Sequence, residues 1–393
     1  MKKLKYSHTI TVSYIAYTVQ ALVNNFTSLL FVTFASVYGI SLDKIGLIVS
    51  LNFIFQLFID FVAAKAIDKI GYRASMIIAH LSAAVGFVLL AFLPDLIDPF
   101  TAIIISTLFT ALGGGLVEVT VSPVVEAIPE SEKHEGAMSL LHSFYCWGQL
   151  LTVLVSTLFF VLFGIENWQI MALLWALLPF LNSIWCFFIP IRQLTEKGKV
   201  LPIKKLLGNK IFWLFIFIMI CAGATELTVS QWASALAERN LNVTKTVGDL
   251  AGPCVFALLM GLVRALYAPF SKKIKIENAL LLSGIIGVVG YLMISLSSTP
   301  VISLTGCAFC GIASALLWPG TLTLSAKTVY GGGTAMFALL ALGGDIGCSL
   351  GPGLAGLVSE HFNENLQIGI LSGIIFPIGI IVGALMCKYY SNK

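Results

Sequence analysis

Carboxylates, amides and an imidazole stand inside stretches of this sequence that are otherwise apolar. A buried charge is expensive, so each such group needs a partner or a purpose. Glu118 lies in the run Gly113-Gly114-Gly115-Leu116-Val117-Glu118-Val119-Thr120-Val121-Ser122-Pro123. At helical spacing Ser122 (i+4) and Glu126 (i+8) fall on roughly the same face. Pro123 has no N–H to donate, so it leaves a carbonyl unpaired beside that face. A carboxyl group withdrawn from water favours its neutral form. Glu118 is therefore expected to take up and release a proton, although pairing to a neighbouring helix is the structural alternative. Glu126, nearer the end of the run, reads as a structural carboxylate.

A second constellation is Thr225-Glu226 followed by Ser230, Gln231 and Trp232. Ser230 sits one turn from Glu226, and Gln231 and Trp232 lie close round the helix. An acid and an amide bond hydroxyls and an indole packs on an apolar face, a combination that suits a hydroxylated ligand such as a sugar. Trp232 reads equally well as an interfacial anchor. A third stretch carries His142, Tyr145, Trp147 and Gln149. His142 and Gln149 share a face at i+7, and histidine titrates near neutral pH. A packing role for His142 has equal standing. Gln20, Asn24 and Asn25 offer either ligand contacts or hydrogen bonds between helices. Asp345 follows Gly343-Gly344, where a neighbouring helix can come close. Arg264 is expected to neutralise Asp345 or another buried acid. Trp318-Pro319 repeats the pattern of a proline in a polar-lined run, and Asp60 reads as a partner for nearby loop charges.

The elements that must hold these residues follow from composition. Of 393 residues, 58% are hydrophobic and 11% charged, with mean hydropathy +0.96. A soluble domain carries about 25% charged residues, so most of this surface must face lipid. A helix needs about 20 apolar residues to cross a bilayer. Twelve runs qualify, near 9–39, 44–66, 74–94, 99–127, 136–164, 168–190, 210–237, 247–270, 277–297, 300–326, 332–360 and 366–388. The basic start Met1-Lys2-Lys3-Leu4-Lys5 is not followed by a small-residue cleavage site, so a signal peptide is not expected. All eight cysteines fall in expected spans, where packing thiols are the reading, Cys307 and Cys310 included. No Gly-rich phosphate loop, metal-ligand spacing or nucleophile elbow is present, so neither an enzyme nor a bound cofactor is expected.

Twelve spans put both termini on one side. Lys44, Arg239 and Lys245 fall on the other side and Arg264 within a span, which leaves 19 of the 23 Lys and Arg on the side of the termini. That side is expected to be cytoplasmic. The net charge of +4 fits anionic inner-leaflet lipids and calls for no nucleic acid. The polar stretch 191–209 divides the chain nearly in half, predicting a six-helix bundle over 1–190, a cytoplasmic linker, and a second bundle over 210–393. Gly136-Ala137-Met138 and Thr334-Ala335-Met336 open runs at an offset of half the chain, and Pro123 and Pro319 occupy corresponding runs. Parallel repeats with a site at their interface are a common transporter design.

The stretch Ala64-Lys65-Ala66-Ile67-Asp68-Lys69-Ile70-Gly71-Tyr72-Arg73-Ala74-Ser75 resembles the loop signature between the second and third helices of the major facilitator superfamily. Asp68, Lys69, Gly71 and Arg73 match, and Ala64 replaces the usual leading glycine. More finely, Gly115 to Pro123, Glu226 with Trp232, and Trp318-Pro319 resemble the fucose–galactose–glucose:proton symporter branch. That branch carries Asn-Pro where this chain has Ser122-Pro123, and its fucose permeases carry a first-helix aspartate where this chain has Asn24 and Asn25.

The resemblance implies an all-α fold of twelve helices in two pseudo-symmetric bundles, working by alternating access as a monomer in the cell membrane. It implies proton-coupled uptake of a sugar or similar small polar solute. Glu118, Glu226 and Asp345 would carry protons. Asn24, Glu118, His142, Gln149, Glu226, Gln231, Trp232 and Trp318 would bind substrate, and Asp68, Gly71 and Arg73 would support the cytoplasmic helix contacts. A proton-driven exporter of hydrophobic compounds and a non-transporting membrane receptor are the alternatives.

Overall fold

In hydrocarbon no water is at hand to bond a peptide group, so a spanning segment must satisfy its backbone internally, and long apolar runs become helices. The computed structural model describes residues 5–126, 128, 137–191, 203–270, 275–329 and 333–391, and every regular element among them is helical. Twelve spans are long and apolar enough to cross a membrane: α1 Tyr6–Tyr38, α2 Leu42–Val62, α3 Tyr72–Asp95, α4 Pro99–Val125, α5 Leu141–Phe163, α6 Ile165–Cys186, α7 Lys210–Arg239, α8 Lys245–Tyr267, α9 Ile276–Leu296, α10 Pro300–Thr328, α11 Met336–His361 and α12 Leu366–Tyr389. They coincide with the twelve expected runs to within a few residues. All eight cysteines are buried, and none forms a disulfide among the described residues.

The chain divides into two compact units, Met1–Ile40 with Leu51–Glu196, and Ser41–Ser50 with Lys197–Lys393. The second unit thus takes the opening turns of α2 as well as α7–α12. Of the expected linker, residues 192–202 lie outside the described residues, and Ile203–Leu207 form a short helix.

Close approach organises each unit. In the first, a Cβ on Gly113 of α4 would stand 2.8 Å from the Ala79 carbonyl oxygen of α3, and one on Gly86 would stand 2.8 Å from the Thr110 nitrogen. In the second, α11 lies against α7 along one glycine face. A Cβ on Gly347 would strike the Ile220 carbonyl and come within 2.8 Å of the Ala224 nitrogen, and one on Gly351 would come within 2.7 Å of the Ala224 oxygen. Small residues let helix backbones meet where lipid provides no hydrophobic drive. The start of α2 joins the same unit through α11. The Leu42 N–H donates to Glu360 Oε2 (3.0 Å), and Ser50 and Ser349 each donate their hydroxyl to the other's carbonyl (2.9 and 3.2 Å).

Several spans are interrupted where the polar residues lie. α1 is helical over Tyr6–Asn25, tightens over Thr27–Leu30 and resumes over Phe31–Tyr38. α8 carries a wide π turn over Leu250–Cys254 that contains Pro253. α10 breaks between Pro300–Ser314 and Leu317–Thr328. Pro123, by contrast, sits inside a helix that runs unbroken over Pro99–Glu126.

The expected loop after α2 is shorter than its signature implies. The helix of α2 continues to Ile70, Gly71 takes the turn alone with φ 87°, and the next helix starts at Tyr72. That backbone conformation favours glycine. Arg73 then donates to the carbonyls of Cys186, Phe187 and Ile189 (2.8, 2.6 and 2.7 Å), closing the end of α6. Such last-turn carbonyls have no partner in their own helix. The Asp68 side chain lies outside the described residues. Deeper in the same unit, the Asn182 amide of α6 donates to the Val12 carbonyl of α1 (3.1 Å) and pairs with His80 Nε2 of α3 (2.8 Å).

The glycine face of α11 makes a direct prediction. Gly347→Leu is expected to lower the thermal unfolding midpoint in detergent, since overpacking costs about 1–3 kcal/mol of stability. Gly208→Ala, where the nearest atom to a new Cβ is 3.5 Å away, is expected to leave it unchanged. Equal midpoints for the two variants would refute the backbone-to-backbone packing of α7 and α11.

Candidate functional site

Each unit gathers its own set of polar side chains. In the first unit the set is built from α1, α2, α4 and α5. α1 presents Gln20 and Asn24 one turn apart. α2 presents Asn52, Gln56 and Asp60 at successive i+4 spacings, hence on one face. α4 presents Gly114, Gly115, Glu118 and Ser122. The glycines matter because they let α2 close on α4: a Cβ on Gly114 would stand 3.2 Å from Gln56 Oε1, and one on Gly115 would stand 3.3 Å from Asp60 Oδ1.

Hydrogen bonds join this set into a seam. Gln20 Nε2 donates to Glu118 Oε2 (2.9 Å). Asn24 Oδ1 accepts from both Gln56 Nε2 (2.7 Å) and Asn52 Nδ2 (3.2 Å). Tyr17 and Ser122 share a hydroxyl pair at 2.8 Å, and the His142 ring of α5 meets Tyr17 edge-on at 5.2 Å. Gln149, one of the expected ligand residues, is buried on the same helix as His142, and His142 itself is exposed. Asn25 turns back on its own helix, donating to the Ala21 carbonyl (2.8 Å).

Asp60, expected as a partner for nearby loop charges, also lies close to an acid of the span. A carboxylate oxygen of Asp60 lies within 4.8 Å of one of Glu118, so the unit holds a carboxylate pair. The signal was present in the sequence as Asn52, Gln56 and Asp60 repeating every fourth residue inside an apolar run. The Glu126 side chain lies outside the described residues.

The second unit builds its set from α7, α8, α10 and α11. Glu226 is buried, with no hydrogen-bond partner for Oε2 among the described residues, and the neighbouring Thr225 Oγ1 is likewise unpartnered. The charge of Arg264 on α8 acts on Glu226. Arg264 also donates from Nε to the Ala315 carbonyl (2.9 Å). The reason is local: residue 319, which would normally bond that carbonyl, is Pro319 and has no N–H. The guanidinium takes the place of the missing donor at the break in α10. Trp318 of α10 packs its ring against Gly344 of α11, where a Cβ would come 2.7 Å from Cζ2. Asp345, the next residue, is buried.

One expected ligand residue of α7 has its ring nitrogen engaged elsewhere. Trp232 is fully enclosed, and its ring N–H donates to the Pro352 carbonyl (3.1 Å), so it ties α7 to α11 rather than lining a water-facing wall. Gln231 is buried beside it. Further along, Ser234 donates to Asp249, and Lys245 bonds Glu238 (3.3 Å) and Asp249 (3.2 Å). Sequence reasoning passed over this group because its members straddle the turn between α7 and α8.

The two sets differ in chemistry. The first is rich in amides and holds paired acids, which suits the binding and release of a small cation such as a proton. The second leaves carboxylate and hydroxyl acceptors unpaired beside a guanidinium, which suits hydroxyl groups of a polar ligand.

Residues 13–352 match the Major Facilitator Superfamily. No curated protein matches the sequence. Among solved structures, the nucleoside transporter NupG aligns with TM-score 0.76 at 14% identity, over 97% of this chain and 99% of its own. The E. coli fucose:proton symporter FucP aligns with TM-score 0.67 at 15% identity, over 98% and 99%. A D-xylose-proton symporter aligns with TM-score 0.76 at 14% identity, over 96% and 95%. At such identities the likeness is one of fold.

The Arg264 arrangement is testable by a double-mutant cycle. Arg264→Ala strands a carboxylate and a carbonyl together, so it is expected to destabilise the protein. Glu226→Gln in the same chain is expected to recover part of that loss, a coupling of about 0.5–3 kcal/mol for residues in one network. Strict additivity of the two changes in unfolding free energy would sink the pairing.

Proposed function

Because the chain belongs to the major facilitator superfamily, we propose that it is a secondary transporter that takes up a sugar or similar small polar solute together with protons, by alternating access. The observation that carries this reading is Glu118, set in an apolar span and held by Gln20 through a 2.9 Å hydrogen bond. A carboxyl group there can change charge only by exchanging a proton with whichever side water reaches. The amide and hydroxyl seam around it gives both charge states something to bond. The printed names of two structural neighbours, a fucose:proton and a D-xylose-proton symporter, support the same pairing of solute and ion. A third, a nucleoside transporter, keeps ribosides within the class of solutes to be tried.

On this reading Glu118 carries the coupling proton, with Asp345 and Glu226 as further titrating groups. Glu226, Thr225 and Arg264 bond solute hydroxyls, and Trp318 offers its ring to an apolar face. Asn24, His142 and Gln149 complete the polar lining in the first unit. Trp232 is left out, since its one donor is spent on Pro352. The protein resides in the cell membrane with both termini cytoplasmic, the side on which its basic residues concentrate.

The test is solute-induced proton movement. Purified protein in liposomes, with a pH-sensitive dye outside, is offered hexoses, deoxyhexoses, pentoses, disaccharides and nucleosides in turn. One solute is expected to make the outside more alkaline, and Glu118→Gln is expected to abolish that signal while solute binding persists. Silence toward the whole panel, with proton-driven movement of lipophilic cations by the same preparation, would replace uptake with export.

A further inference from the structure

The start of α7 is electrostatically one-sided. Between Glu196 and Glu226 the chain carries no acidic residue, whereas Lys197, Lys199, Lys204, Lys205 and Lys210 all fall there. Lys204, Lys205 and Lys210 are among the described residues, and all three are exposed. No ion pair holds any of them among the described residues. Lys210 opens α7, where a positive charge runs against the helix dipole, and no acid stands in the first turn to offset it.

The chain nevertheless keeps these three lysines in fixed places. Leu206 is fully enclosed and anchors the short helix Ile203–Leu207. The Gly208 N–H donates to the Lys204 carbonyl (3.1 Å) and the Asn209 N–H to the Leu206 carbonyl (3.0 Å), which closes that helix. The Asn209 side chain then accepts from the Ile211 N–H (3.0 Å) and opens α7. Trp213 turns its ring back along the helix and donates its N–H to the Leu207 carbonyl (2.8 Å). Even so, Trp213 is 54% exposed and Leu207 41%. A tryptophan in the first turn of a span lies at headgroup level.

We infer that the start of α7 is a docking surface for anionic phospholipid. Lys204, Lys205 and Lys210 meet the charge of the headgroups, and Trp213 and Leu207 lie against the upper acyl chains. The charge is complementary to such a lipid. The exposed indole and leucine beside the lysines separate it from a soluble acidic partner, which brings the charge without the hydrocarbon. A phospholipid presents both at adjacent depths, as a cationic rim over an apolar wall requires. The inference goes beyond solute uptake, and only the choice of the cytoplasmic leaflet rests on the orientation proposed above.

The full-length protein is placed in nanodiscs of phosphatidylcholine, which present the same lipids on both faces. Part of the lipid is exchanged for phosphatidylglycerol brominated on the upper acyl chain, or for phosphatidylcholine brominated in the same way. The chain has seven tryptophans, so the Trp213 fluorescence is taken as the difference between wild type and Trp213→Phe. Brominated phosphatidylglycerol is expected to quench it at a several-fold lower mole fraction than brominated phosphatidylcholine. Lys204→Gln combined with Lys205→Gln is expected to raise the half-quenching fraction of phosphatidylglycerol by about fivefold or more, the scale of a lysine near an anionic surface. High salt is expected to act in the same direction, because exposed charges are screened. If Trp213→Phe does not fold, the unfolding midpoint of the wild type in detergent carries the test. Short-chain phosphatidylglycerol is expected to raise it in a salt-sensitive way, as a ligand of the native state does, and short-chain phosphatidylcholine and inorganic phosphate are not.

Equal quenching by the two lipids would overturn the site and leave the lysines to a soluble acidic partner. So would excess quenching that is indifferent to both the lysine exchange and salt, or a midpoint raised as much by inorganic phosphate as by phosphatidylglycerol. A solute-dependent proton signal in liposomes of phosphatidylcholine alone upholds the transport reading whichever way the lipid result falls.

Discussion

A peptide carbonyl within a bilayer can be satisfied only by the protein itself. That constraint makes proline the most consequential residue type in these spans, because each one removes the donor that the carbonyl four residues earlier would have used. At Pro319 the chain answers with a charged side chain from another helix: Arg264 takes up the Ala315 carbonyl, and the same guanidinium acts on Glu226. One side chain thus stands in for a missing backbone donor and lies within electrostatic reach of a buried acid. At Pro123 the helix continues unbroken, and the polar side chains of the seam sit around it. Each unit thus has a proline in a polar-lined span, and the two are resolved differently.

Glycine does complementary work. Where proline opens a helix, glycine lets a neighbour come close enough to fill the opening. α11 lies on α7 backbone to backbone, which buries Asp345 and sets Trp318 against Gly344. In the first unit the three glycines of α4 are each used in a different direction: Gly113 toward α3, and Gly114 and Gly115 toward Gln56 and Asp60 of α2. The position of the carboxylate pair is a product of that packing.

How much of this was legible in the sequence depends on the length scale of the signal. A span is a property of some twenty residues, and lipid leaves the chain no other structure, so all twelve could be read directly. Glu118 was legible for the same reason: one charge in an apolar run stands out. Asp60 was not, because it lies near the end of its run, where a charge is ordinary, and only its spacing from Asn52 and Gln56 marks it as inward-facing. Arg264 was recognised as a buried partner, but its carbonyl ligand was not, since that follows from where α10 breaks. The partner of the Trp232 ring N–H was not legible, because it is decided by how near α11 comes.

The glycine run of α4 also decides how this protein could be given a new cargo. A site is usually enlarged or reshaped by exchanging residues on its walls. α4 offers least freedom at Gly113, where a Cβ would stand 2.8 Å from the Ala79 carbonyl oxygen, and at Gly114 and Gly115 a side chain would require Gln56 and Ile59 of α2 to give way. It acts as the fixed datum of its bundle. Room for a bulkier solute would have to come from α1 and α5, where Asn24 and His142 stand, so the mutable and immutable sides of the seam fall on different helices.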